Sequence, residues 1–132
     1  MIRKVIINTD GAAEPNPGAA SIGAVIKDEH SRVLATISQS IGHTTNNQAE
    51  YRAIIAALQK ALELGARQVE LRSDSQLIVC QVSGEYRVKT ASLRPLFQKV
   101  KALQNQFEKF TMSHIDGKTN TEAHNLAHAA LK

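Results

Sequence analysis

The chain has one cysteine, no tryptophan, two tyrosines and three phenylalanines among its 132 residues. A single thiol, Cys80, excludes an internal disulfide framework and a cysteine-based zinc site, and makes a reducing cytoplasm the expected compartment. So few aromatics cannot build a platform on which successive bases stack, which argues against a single-strand binder. Long hydrophobic runs are missing too. The longest, Ala53-Ile54-Ile55-Ala56-Ala57-Leu58, falls far below the roughly 20 residues that span a bilayer. No charged stretch, apolar stretch and small-residue cleavage site open the chain, so export is not expected. Internal repeats, linkers and low-complexity tracts are absent. With 42% hydrophobic and 21% charged residues the chain reads as folded, and its length predicts a single domain over residues 1–132. Sixteen basic against twelve acidic residues give a net charge of +4, which permits a polyanionic partner without establishing one.

The hydrophobic periodicity changes along the chain. Met1 to Thr9 reads as a strand whose continuous Val5-Ile6-Ile7 suits a central position covered on both faces. Asp10-Gly11 and Pro15-Asn16-Pro17-Gly18 read as breaks. Ser21 to Lys27 and Arg32 to Ile41 are β-rich and joined by a hairpin turn at Asp28-Glu29-His30-Ser31. Ile54, Ala57, Leu58, Ala61 and Leu62 then form a helical stripe ending at Gly65, with Thr45 and Gln48 at capping-box spacing before it. Gln68 to Ser73 predicts a strand entering parallel to the first through a right-handed crossover. Gln76–Val82 and Ser92–Phe107 predict helices, Lys109–Ile115 a strand, and Thr121–Leu131 a final helix. The order β-β-β-α-β-α-α-β-α specifies an α/β fold: a five-stranded mixed sheet, its first three strands antiparallel, flanked by helices.

Three carboxylates fall where such a sheet binds ligands. Asp10 and Asp74 end two strands expected to lie side by side and parallel, and carboxyl ends of neighbouring parallel strands form the binding crevice. Each has an ordinary reading as well, a turn for Asp10 and a helix cap for Asp74. Glu50, four residues before Ile54, projects along the edge of the helix's buried face, where a glutamate could also simply serve the helix dipole. Three carboxylates at one sheet edge repel one another unless a hard cation joins them, and oxygen donors suit Mg²⁺ or Mn²⁺. Two such ions can clamp an in-line phosphoryl displacement.

These residues sit in a larger ordered set: Thr9-Asp10-Gly11, Asn16-Pro17-Gly18, Thr44-Thr45-Asn46-Asn47-Gln48-Ala49-Glu50 and Ser73-Asp74-Ser75. Together they strongly resemble ribonuclease H of type 1, over essentially the whole chain. The resemblance implies a ribonuclease H-like fold and hydrolysis of the RNA strand of RNA/DNA hybrids at two divalent ions, Mg²⁺ or Mn²⁺. Asp10, Glu50 and Asp74 match three of the family's four acidic ligands. Asn16 to Gly18 and Asn46, Asn47 and Gln48 match segments that contact the hybrid's minor groove, and Thr45 matches a threonine that grips a DNA phosphate. Small polar groups reading groove shape and 2′-hydroxyls suit a shape-selective nuclease. For Asn46 and Asn47, helix capping is the ordinary alternative. The implied partner is an RNA/DNA hybrid, with duplex RNA as a second ligand, bound by a monomer with no membrane association.

The fourth ligand departs from the pattern. Where the family has Asn-x-x-Ala-Asp-x-Leu-Ala, this chain has Asn120-Thr121-Glu122-Ala123-His124-Asn125-Leu126-Ala127, placing His124 at the aspartate position. Imidazole suits Mn²⁺ and later transition metals better than Mg²⁺ and repels any cation once protonated. Weakened activity in Mg²⁺, rescue by Mn²⁺ and loss toward acid are therefore expected. His128 follows four residues later on the same helical face, a spacing able to hold a transition metal, but the sequence offers no obvious third ligand. The loop Asp116-Gly117-Lys118-Thr119 lacks the mobile histidine of longer relatives, and His114 falls within a strand. Only Gly84 to Thr90 replaces the longer relatives' basic protrusion. Thr90 stands where a phosphate-binding asparagine is usual, and His43 where a basic residue is usual. The alternative to an enzyme is therefore a hybrid-binding protein on the same fold, with its chemistry impaired or lost through His124. A different nuclease or integrase relative fits the carboxylates but not Asn16–Gly18 or Thr44–Gln48.

Overall fold

The computed structural model describes residues 3–131. Met1 and Ile2, expected in the first strand, lie outside the described residues. The elements are β1 (Lys4–Glu14), β2 (Gly18–Lys27), β3 (Val33–Thr44), α1 (Asn46–Glu63), β4 (Gln68–Ser73), α2 (Gln76–Ser83), α3 (Arg94–Gln104), β5 (Lys109–His114) and α4 (Thr121–Ala129), with a 3₁₀ turn at Gly117–Thr119. The five strands form one sheet in the order β3-β2-β1-β4-β5. β1, β2 and β3 pair antiparallel, and β4 lies parallel to β1 and to β5. This is the predicted architecture and element order. No helix among the described residues is long and apolar enough to cross a membrane.

Alternation along the strands divides the sheet's two faces. Val5 and Ile7 of β1, Ala24 and Ile26 of β2, and Val69 and Leu71 of β4 are buried in one core with Ile54, Ala57, Leu58 and Ala61 of α1. Val82, Val100 and Leu103 join that core from α2 and α3. The opposite face carries α4, packed chiefly across β2 and β1. Ile6 is accordingly only half-buried, so β1 is less evenly covered than its apolar run predicted. Close approach on both faces relies on missing side chains. A Cβ on Gly11 would stand 2.3 Å from the Ala49 carbonyl carbon of α1, and one on Gly23 would stand 2.3 Å from the Ala123 oxygen of α4.

The main correction concerns β1. Asp10-Gly11 does not break it. The strand loses its parallel partner after the Thr9–Ser73 pairing but keeps its ladder with β2 through the Glu14–Ala19 pairing. Gly11 serves contact with α1 and not a turn. β2 and β3 are correspondingly longer than expected, beginning at Gly18 and ending at Thr44. The capping box is half formed: the Thr45 side chain accepts from the Gln48 N–H, but the Gln48 side chain bonds the Thr44 hydroxyl instead of reaching back to Thr45. α3 and α4 are shorter than their periodicity implied, spanning Arg94–Gln104 and Thr121–Ala129. α2 is capped by Ser75 and ends at Gly84, whose φ of 90° is the left-handed conformation that favours glycine. Cys80 is buried, as expected.

Candidate functional site

The sheet opens where β1 and β4 part. Beyond Thr9 and Ser73 a cleft of about 520 Å³ is lined by Asp10, Glu14, Asn46, Asn47, Glu50, Asp74, Ser75 and His124. A cavity of about 570 Å³ lies at the far end of the sheet among Arg3, Lys4, Asp28, His30 and Arg32, but there Arg32 is already paired with Asp28 at 3.0 Å. The cleft at the strand ends is where reactive groups converge.

Each carboxylate arrives from a different element. Asp10 projects from β1 toward α4 and is 7% exposed. Glu50 comes from the first turns of α1, is 8% exposed, and accepts the Gly11 N–H at 2.5 Å. It therefore faces β1 and not the helix dipole. Asp74 follows β4, and because Ser75 caps α2, Asp74 is not occupied as that helix's cap. The His114 ring reaches the Asp74 carbonyl at 3.2 Å, and Gly117 passes close to the Asp74 carboxylate. One carboxylate oxygen from each of Asp10, Glu50 and Asp74 lies within 4.8 Å of the others.

Burial, reinforced by repulsion from Asp10 and then Asp74, pushes the Glu50 carboxyl well above its ordinary range. Burial and the charge of Asp74 also raise Asp10, partly offset by contacts with Glu50 and His124. Such a cluster is electrostatically unfavourable by itself, and its all-oxygen donor set fits a hard divalent cation. The residues present thus fit Mg²⁺ or Mn²⁺.

His124, on α4, completes the cleft with Nδ1 3.1 Å from Asp10 Oδ2. Asn120, 1% exposed at the start of the same helix, holds it against β1 by donating from Nδ2 to the Thr9 carbonyl at 2.9 Å and accepting from Asn8 at 3.1 Å.

The remaining expected residues separate into two groups. Asn16, Thr45 and Asn47 line a second hollow of about 330 Å³ with Pro17, Thr90 and Ser92, and Asn47 borders both hollows. Asn46, Gln48 and Gly18 are structurally engaged. Asn46 Oδ1 accepts from the Ala13 N–H at 2.6 Å, and its own N–H donates to Asn16 at 3.0 Å. Gly18 is buried, and a Cβ there would meet the Pro15 carbonyl at 2.2 Å. Glu14 was missed. With β1 continuous, Asn8, Asp10, Ala12 and Glu14 share one face, and the alternation would have found it had the strand been carried past Thr9. His114 falls within a strand, as expected, at the end of β5, and nothing in its sequence context signals that its ring touches the Asp74 backbone.

Comparison with known proteins accords with this geometry. Residues 8–130 match a family described as reverse transcriptase-like. The bifunctional protein Rv2228c of Mycobacterium tuberculosis is 43% identical over 129 residues, covering 97% of this chain but 35% of its own length. The chain thus spans about a third of that relative. Its N-terminal RNase H domain, solved as a fusion with maltose-binding protein, superposes with a TM-score of 0.95 at 42% identity, covering 98% of this chain and 99% of that one. LC11-RNase H1, isolated from compost and solved in complex with an RNA/DNA hybrid, gives 0.92 at 40% identity over 96% of each chain. A ribonuclease H of Chlorobium phaeovibrioides is 32% identical, with 100% of this chain and 98% of that protein covered. With the site, the sheet order and these relatives in agreement, the chain belongs to the ribonuclease H family as a short type 1 domain.

Proposed function

We propose that this chain, as a single domain over residues 1–132, hydrolyses the RNA strand of RNA/DNA hybrids endonucleolytically, at two divalent ions. The observation that carries the reading is the convergence of Asp10, Glu50 and Asp74 within 4.8 Å at the mouth of a cleft. The likeness to LC11-RNase H1, solved with a hybrid, supports the substrate class. Bound divalent ions supply activation of the attacking water and neutralise charge developing on the phosphate. Asp10, within reach of Glu50, Asp74 and His124, would help hold the ions together with those side chains. Glu50, tied to the Gly11 N–H, keeps its carboxylate at a fixed depth, and Asp74 closes the cluster from β4. Asn47, at the border of the two hollows, spans from the cleft to the Thr45–Thr90 side. There Asn16, Thr45, Thr90 and Ser92 offer uncharged donors to a backbone phosphate of the paired strand, and Asn46, Gln48 and Gly18 hold that surface in shape.

His124 supplies nitrogen and no negative charge, so the site favours Mn²⁺ over Mg²⁺. The domain acts as a monomer in a reducing cytoplasm.

A second reading, grip without cleavage, is favoured by one observation: His124 already sits on the Asp10 oxygen that an ion needs. A labelled RNA/DNA hybrid incubated with Mg²⁺ and separately with Mn²⁺ distinguishes the two. Internal cuts in the RNA strand, stronger in Mn²⁺ and abolished by Asp10→Asn, support the enzyme. Intact RNA in both metals, with hybrid retained in a binding assay, supports the second reading.

A further inference from the structure

We propose that His114 is a positioning residue for the cation site, setting the place of the Asp74 carboxylate through the Asp74 backbone. The inference rests on the divalent-ion reading above and extends it to a residue outside the acidic cluster. Of the three converged carboxylates, Glu50 is tied to the Gly11 N–H at 2.5 Å and Asp10 to His124 at 3.1 Å. Asp74 is different. Among the described residues it is held through its carbonyl, and no hydrogen bond reaches its carboxylate. Where that side chain stands therefore depends on the backbone that carries it.

That backbone lies just past the regular pairing of the sheet. Ser73 of β4 and His114 of β5 are the last register partners, and the Ile115 N–H still reaches the Ser73 carbonyl at 2.9 Å. Asp74 follows in a two-residue link before α2 begins at Gln76. The Ser73 hydroxyl fastens one end of this link by accepting the Ser75 N–H at 3.1 Å. Nε2 of His114 holds the middle, 3.2 Å from the Asp74 carbonyl oxygen. A carbonyl only accepts, so Nε2 carries the proton of this pair. The neutral ring protonated at Nε2 and the doubly protonated ring both supply it, so the tie does not depend on the ring's charge. The peptide unit is planar, so a held carbonyl fixes the plane that starts at the Asp74 Cα. The swing of the side chain away from Asp10 and Glu50 is limited accordingly. Groups that orient a ligand without touching the ion commonly govern about tenfold to 100-fold of metal affinity.

Two substitutions separate the donor from the bulk of the ring. His114→Gln keeps an N–H at a similar reach, and His114→Phe keeps a ring with no donor. His114 is exposed at a strand end, so neither change removes a core side chain. Mn²⁺ binding to each metal-free chain is measured by calorimetry, and hybrid affinity is measured in chelator. His114→Phe should bind Mn²⁺ about tenfold more weakly than the parent, and His114→Gln should stay close to the parent. Hybrid affinity and far-UV circular dichroism should be unchanged in both. His114→Leu, a second variant without a donor, keeps the test decisive if His114→Phe does not fold. A donor-free variant that binds Mn²⁺ as tightly as the parent overturns the proposal, as does a glutamine variant as weak as the donor-free ones. A parent that binds Mn²⁺ but cuts no hybrid sinks only the cleavage reading. A parent that cuts hybrid while every variant binds Mn²⁺ equally sinks only this one, and a parent that binds no ion overturns both.

Discussion

Nδ1 of His124 lies 3.1 Å from Oδ2 of Asp10, so an imidazole and not a carboxylate borders the three converged acidic groups from α4. Replacing it with aspartate restores charge without moving α4, because Asn120 and not His124 anchors the helix start. His124→Asp should raise Mg²⁺-dependent cleavage about 100-fold, equivalent to roughly 2.7 kcal/mol of barrier. Hybrid affinity should change little. Initial rates on a labelled hybrid measure the first quantity and equilibrium binding the second; no gain in rate would mean that His124 is not what limits the chemistry.

Glu50 is a burden on the metal-free fold. Its carboxyl titrates above its ordinary value because it is buried beside Asp10 and Asp74. The folded chain therefore holds that proton more tightly than the unfolded chain does, and stability falls as pH rises from about 4.5 through the raised folded value. Glu50→Gln keeps an acceptor for the Gly11 N–H and removes the charge. In chelator, the variant should melt higher than the parent at pH 7.5, and the difference should shrink toward pH 5. A parent that is the more stable at pH 7.5 contradicts this account.

Cation binding should reverse that penalty. At a Mg²⁺ or Mn²⁺ concentration 100 times its dissociation constant, linkage stabilises the native state by about 2.7 kcal/mol. Chelator should remove the gain. Thermal melts of the parent and of Asp10→Asn with and without metal test this: the variant, lacking one of the three converged carboxylates, should show little metal-dependent shift.

Gly11 is where the sheet and α1 meet backbone to backbone. A methyl group there would lie 2.3 Å from the Ala49 carbonyl carbon, and neither partner is a flexible side chain that can yield. Gly11→Ala should destabilise the fold by about 3 kcal/mol or more and, by displacing α1, reduce cleavage in whatever protein remains folded. Urea denaturation checks the first effect; a variant within about 0.5 kcal/mol of the parent would show that the two elements can separate freely.

Asn120 tests the opposite face. Its amide is the partner of the Thr9 carbonyl, and both residues are 1% exposed. Asn120→Ala leaves a buried acceptor unpaired and should cost about 2 kcal/mol. Because α4 carries His124, the variant should also bind divalent ions less tightly than its stability loss alone explains. Denaturation and metal titration on the same preparation separate the two effects.

Most of this architecture is legible in residue order. The shift from two-residue to helical periodicity after β3, the stop at Gly84 and the crossover into β4 give the element order and the parallel pairing of β4 with β1, whereas the place of β5 beside β4 comes from the tertiary structure. Asp10, Glu50 and Asp74 are likewise legible as a convergent set. What is hidden is tertiary. Asp10-Gly11 carries a local turn signal, but the glycine is there because α1 presses against it, a contact between residues 38 and more apart in the chain. That misreading ended the strand early and concealed Glu14. The half-formed capping box has the same origin: the spacing of Thr45 and Gln48 is right, but the Thr44 hydroxyl takes the glutamine's amide oxygen first.

The parting of β1 from β4 has a mechanical consequence. The amides of Gly11 and Ala13 lie two residues apart on the edge of β1 that β4 has left, and they donate to Glu50 and Asn46, four residues apart on α1. Two residues of strand advance about 6.8 Å, and four residues of helix about 6.0 Å. Helix and strand therefore mesh like a pinion on a rack, with two side chains as teeth. Sliding α1 along β1 would have to skip a full tooth before both amides found partners again. The depth at which Glu50 meets Asp10 is thus indexed by gearing, and the two carboxylates cannot drift apart by small degrees.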